Sequence, residues 1–156
     1  GVQPLATGQD GVAVVLIAPD GNLVDVPRDA CHQYAHPGLN AETLFSLAIS
    51  SAVVLVLRPD QQDYEGTAVA VEVARSLEVP SLFLVVNKAP PTLAPDALAE
   101  SLAASLRCAV AAVLPHSDEM MVLGSSEVFA IRHPEHPITQ ALAALAARLG
   151  GEGEIG

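Results

Sequence analysis

Residues 52–57 read Ala-Val-Val-Leu-Val-Leu (AVVLVL), and residues 81–87 read Ser-Leu-Phe-Leu-Val-Val-Asn (SLFLVVN). Both are unbroken apolar runs rich in β-branched residues, without the alternation of a strand that has one wet face. Such runs fit strands buried on both sides, as in a parallel sheet covered by helices. A third run, Ala109–Pro115 (AVAAVLP), has the same character.

The segments between these runs carry helical patterns. Arg58-Pro59-Asp60 stops the first strand, and a helix is expected from about Asp63 to Glu78, with Val69, Val73 and Leu77 marking its packing face. Pro80 separates that helix from the second strand. The stretch Ala89–Asp96 (APPTLAPD) reads as a loop whose Pro95 and Asp96 suit the first turn of a helix running to Arg107. A last helix is expected over about Pro137–Leu149, with Ile138, Leu142, Leu145 and Leu149 on one stripe. Upstream, Asn40 can cap a helix whose first turn holds Glu42 and whose apolar side is Leu44, Phe45 and Leu47. The β-α-β-α-β order predicts an α/β fold with right-handed crossovers and helices on both faces of a parallel sheet.

Residues 1–35 read differently. Val12–Val26 (VAVVLIAPDGNLVDV) is two short apolar runs around Pro19-Asp20-Gly21-Asn22, a hairpin signal, and Pro27–Ala35 matches no regular pattern. The expected organisation is therefore an atypical segment over 1–35, one α/β unit over 36–150 and a frayed tail over 151–156.

Charge and composition narrow the functions. The net charge is −11, with seven Lys and Arg against eighteen Asp and Glu, and no basic patch is visible in the sequence. Nucleic-acid binding is not expected. The longest uncharged apolar run, Thr43–Leu57, is shorter than the roughly 20 residues of a spanning helix, and no signal peptide is evident, so no membrane insertion and a cytoplasmic location are expected. Two cysteines, Cys31 and Cys108, make no disulfide framework. Cys31, His32 and His36 match no standard metal-ligand spacing, so no metal site is expected, and His133 and His136 read as capping residues of a turn.

In open parallel sheets ligands bind at the carboxyl ends of the strands. These ends are Arg58-Pro59-Asp60, Asn87-Lys88 and Pro115-His116-Ser117-Asp118. Asn87 offers both a donor and an acceptor, which suits the edge of a purine, and the Lys88 stem can lie along the ring. An Asn that merely caps the strand end would read the same way. Guanine-specific sites place an Asp two residues after such a lysine. Pro90 stands there, which leaves adenine. No G-x-x-x-x-G-K-[ST] stretch occurs, and Lys88 is the only lysine in the chain. Ser125, Ser126 and His116 could suggest a nucleophile and base, but no G-x-S-x-G elbow accompanies them, and no catalytic residue is assigned.

Taken in order, HPGLNAETLFSLAIS (36–50), VLVLRPDQQDYEGTAVAVEVARSLEVP (54–80), LVVNKAP (84–90), AAVLPHSDEMMVLGSSEVF (111–129) and HPEHPITQALAALAARL (133–149) resemble the C-terminal portion of the MinD/ParA-type P-loop ATPases, the family with a deviant Walker A motif. The resemblance covers about 114 of 156 residues and is similar to a subgroup whose switch II loop reads Asp-Thr-His-Pro-Gly-Leu-Asn. It implies a partial P-loop NTPase-like, Rossmann-like three-layer sandwich, with the N-terminal hairpin replacing or abutting the strands not matched. It further implies ATP and Mg²⁺ as cofactors, held between the subunits of a homodimer, and a role in intracellular positioning through a partner protein. By position, Asn87 would bond the adenine, Lys88 would flank it, and Pro115 and His116 would line the base pocket. His36, Pro37 and Gly38 would form the switch II turn.

The chain departs from the family where the phosphates would sit. Tyr34 and Ala35 stand where the switch II Asp and Thr belong, and Asp25 in LVDVP lies too far upstream to replace them. The expectation is that residues 1 to about 35 are not the native upstream sequence of this fold, which the coding DNA would test, and that the 156-residue chain does not hydrolyse ATP alone. A non-catalytic interaction module is the alternative. A receiver-like domain, echoed by Lys88-Ala89-Pro90, lacks the acidic pair and phospho-acceptor it needs.

Overall fold

The computed structural model describes residues 13–17, 44, 47–123 and 126–151. Four strands form one sheet in the order β1 (Ala13–Ile17), β2 (Ala52–Leu57), β3 (Ser81–Ala89) and β4 (Ala109–Pro115). Strands β2, β3 and β4 are parallel, as the apolar runs predict, while β1 lies antiparallel against β2, with Ala13 opposite Val56 and Ile17 opposite Ala52. The N-terminal segment thus abuts the parallel sheet. The second strand of its expected hairpin lies outside the described residues, as do the Asn40 cap and the tail after Gly151.

Because β2, β3 and β4 are neighbours in chain order, both crossover helices fall on one face of the sheet when their hands agree. Helices α1 (Gln61–Ser76) and α2 (Pro95–Leu106) share one core with Val53, Leu55, Leu57, Leu84 and Val86. Leu47, from the helical turn before β2, joins that core. The other face carries α5 (Pro137–Gly151), whose Ala141, Leu145 and Leu149 pack on Val54, Phe83, Val85 and Leu114. Two short helices, α3 (Asp118–Leu123) and α4 (Phe129–Arg132), connect β4 to α5. The result is the expected three-layer α/β arrangement.

Two expected packing stripes are corrected. Val69 is 61% exposed, and the buried face of α1 is Asp63, Thr67, Ala70, Val71 and Ala74. A stride of four residues drifts about 40° per step on a helix of 3.6 residues per turn, so Leu77 and Val73 reach the edge of the core while Val69, about 80° round from Leu77, lies beyond it in solvent. On α5 the same drift leaves Leu142 exposed, and Ala141 takes its place between Ile138 and Leu145.

The ends of α1 explain its length. Asp60 is extended at φ −127° and its side chain accepts from the Asp63 N–H, so the helix starts at Gln61, ahead of the expected Asp63. At the other end Val79 N–H donates to Ala74 O and Glu78 N–H to Arg75 O, the Schellman pattern, with Glu78 at φ 56° in the left-handed position usually given to glycine. Arg75, in the last turn, donates to the main-chain carbonyls of Leu106 and Arg107. Its cation thus sits where the C-terminal carbonyls of α2 concentrate negative charge.

Candidate functional site

The site is built at the carboxyl ends of three adjacent strands. Leu57 pairs with Val86, so Arg58 follows β2 at the level where Asn87 follows on β3. On the other side Ala89 pairs with Pro115, and His116 N–H donates to Ala89 O at 2.9 Å. Arg58, Asn87-Lys88 and Pro115-His116 are thereby set side by side, and the four residues expected to line a base pocket come together.

The register between β3 and β4 is irregular at two places. Val85 pairs with Ala112 immediately after Leu84 pairs with Val110, which leaves Ala111 as a bulge that joins Ala112 on the α5 face. At the end of the ladder Val86 pairs with Val113 and Ala89 with Pro115. Asn87 and Lys88 therefore stand opposite the single residue Leu114. Lys88 is at φ 55°, and its N–H donates to Asn87 Oδ1 at 2.9 Å. The side chain of Asn87 holds its own tip in shape by that bond. A carbonyl oxygen has a second lone pair, and no partner of the Asn87 amide nitrogen is found among the described residues. Asn87 therefore keeps one acceptor and one donor function for a ligand edge. It is half-buried, while Lys88, Pro115 and His116 are exposed.

The cations of this edge are not equivalent. Arg58 makes a forked pair with Asp63, Nε to Oδ2 at 3.1 Å and Nη2 to Oδ1 at 3.1 Å, and its own N–H donates to Oδ2 at 2.8 Å. Asp63 is fully buried in the first turn of α1, where the helix dipole favours its charge. Hydrogen bonding and the charges of Asp63 and Asp60 hold the Arg58 guanidinium above its ordinary pKa. His116 lies 3.1 Å from Asp118. Lys88 has no carboxylate partner among the described residues. The Arg58–Asp63 pair is what sequence reading missed. An Arg before a proline and an Asp in a first turn each look like surface residues. Only their spacing of five, across a strand-to-helix turn, could have joined them.

The remaining candidates divide simply. His36, Pro37, Gly38, Tyr34, Ala35, Cys31 and His32 lie outside the described residues. His136 does cap α5, its Nδ1 accepting from Ile138 N–H at 3.1 Å, and His133 and His136 both pack on Phe129. Among the described residues no cluster of three or more His, Cys, Asp or Glu could hold a metal ion, and no helix is long and apolar enough to cross a membrane.

No family model matches the chain, and no curated protein matches it. Among solved structures it is similar to the MinD cell division protein of Aquifex aeolicus, with a TM-score of 0.62 at 14% sequence identity, over 73% of this chain and 50% of that one. The fold is MinD-like. This chain spans about half the length of that MinD protein.

At this edge Asn87 offers one donor and one acceptor, the pair a purine edge would need. Arg58, the guanidinium at this edge, is already engaged by the carboxylates of Asp60 and Asp63.

Proposed function

We propose that this chain carries the base-binding edge of a MinD-like nucleotide switch, and that the 156 residues by themselves bind adenine nucleotides through the base without hydrolysing them. The observation that carries this reading is the Asn87-Lys88 tip, extruded from the sheet beside Pro115 and His116 and fixed by the bond from Lys88 N–H to Asn87 Oδ1. The MinD-like fold supports it. ATP with Mg²⁺, nucleotide-dependent dimerisation and a positioning role belong to the same reading, and they require phosphate-binding groups beyond those at this edge.

Titration calorimetry with adenosine and with ATP tests it. Both ligands should bind comparably and weakly, with Kd on the order of millimolar. Asn87→Ala should remove both, with no phosphate release from ATP by either chain. ATP binding far tighter than adenosine, or hydrolysis that depends on Asn87, would sink the proposal. The alternative of a non-catalytic interaction module is favoured by one observation, the consumption of Arg58 by Asp63 and Asp60 where a phosphate would need it.

A further inference from the structure

Beyond the base edge, the connection from β4 to α5 has a surface of its own. Of the nine large apolar side chains that are exposed among the described residues, five lie between positions 120 and 131: Met120, Met121, Val122, Val128 and Ile131. Val122 is 88% exposed and Ile131 is 80% exposed. Single exposed apolar residues are normal, but a concentration of them marks an interaction surface. Helices α3 and α4 are too short to hide one face and wet the other. Phe129 is the buried anchor of this stretch, and its neighbours are left outward. Both methionines of the chain are here, and methionine suits a surface that must adapt to a partner.

Charge selects the partner. Asp118, Glu119, Glu127 and Glu135 are exposed around these residues. Arg132 lies 3.6 Å from Glu127, while Asp118 lies 3.1 Å from His116 and Glu119 3.6 Å from His136, so one arginine stands among four carboxylates. A second copy of the chain would bring the same acidic rim and a net charge of −11, and an anionic lipid surface would be repelled in the same way. An amphipathic helix with basic flanks would meet both the apolar centre and the acidic rim.

We propose that the α3–α4 face docks a basic amphipathic helix of a partner protein. The docking is independent of nucleotide and of the base-binding edge. The test uses the full 156-residue chain, without nucleotide, and a fluorescein-labelled Leu/Lys peptide of about 18 residues, five helical turns, patterned as an amphipathic helix. Anisotropy should report saturable binding that weakens as salt rises. A peptide of the same composition in a non-amphipathic order should bind at least about tenfold more weakly. Val122→Ser/Ile131→Ser should lose about tenfold in affinity, and Glu127→Lys/Glu135→Lys several-fold. Met121→Ser is a second, single probe of the same face, and circular dichroism melts should match the parent because all these side chains are exposed.

Equal binding of the two peptides would show only attraction to an acidic protein and would overturn the proposal. Unchanged affinity in both Val122→Ser/Ile131→Ser and Met121→Ser would do the same. Self-association or binding to anionic vesicles that these variants abolish would assign the face to another occupant and also overturn it.

Discussion

The face of the sheet under α1 and α2 buries Val53, Leu55, Leu57, Leu84 and Val86 behind two helices, whereas the face under α5 buries Val54, Phe83, Val85 and Leu114 behind one. The first face is closed by Leu102, Leu106 and Cys108 from α2 and its end, and by the Arg75 bonds that tie α1 to the carbonyls of α2. The second is finished at its margin by Arg148, whose guanidinium lies 4.8 Å over the Phe83 ring. The described structure thus has a thick side that holds the fold and a thin side that completes it. Alternation along β2 and β3 deals neighbouring residues to opposite faces, so substitutions in the two packing layers measure the difference.

The largest effect should come from Leu84→Ala, at a fully buried position on the thick face, with a loss of about 2–5 kcal/mol in urea unfolding. Leu145→Ala, half-buried on the thin face, should cost less, about 1–2 kcal/mol by the area it covers. An equal or greater cost for Leu145→Ala would break the comparison. Arg58→Ala should also destabilise, because it leaves the buried Asp63 carboxylate without its forked partner. Arg58→Lys should recover only part of that loss, since an ammonium cannot make the fork. Full recovery in thermal melts would show that charge alone suffices.

Cys108 gives the thick face a pH signature. Burial pushes its thiol pKa up, with the charge of Arg75 opposing in part. The folded state therefore holds the thiol proton more tightly than the unfolded state does. The associated stability is complete below the ordinary thiol range, declines as pH rises through it, and is lost once pH passes the raised folded value. Unfolding measured from neutral to alkaline pH should show that decline in the parent and a shallower one in Cys108→Ala. Smallest of all, Val69→Ser should change stability by no more than about 0.5 kcal/mol, because Val69 faces water. A larger loss would restore it to the packing face.

The strands were legible because runs such as AVVLVL and SLFLVVN have one good solution, burial on both sides. The face of α1 was misread for an equally physical reason. Its most deeply buried residues include Asp63 and Thr67, which no hydropathy pattern selects. They are tolerated because Asp63 is paired by Arg58 and Thr67 Oγ1 donates to Asp63 O at 2.6 Å. Asn87 and Lys88 were legible as the place where the apolar run of β3 gives way to polar residues, although the strand continues to Ala89. Their extrusion was not, because a bulge depends on the register of β4 and leaves no mark in the residues that form it.

That bulge has a consequence for how the molecule can change. Val86 and Ala89 both face the thick core although three positions separate them, an odd step that regular alternation would forbid. Removing one residue between them would restore the even step and still deliver the alanine to the core. The tip is thus a detachable module. A lineage could erase or regain this strand-end tip by a single codon while the sheet beneath it stays in phase.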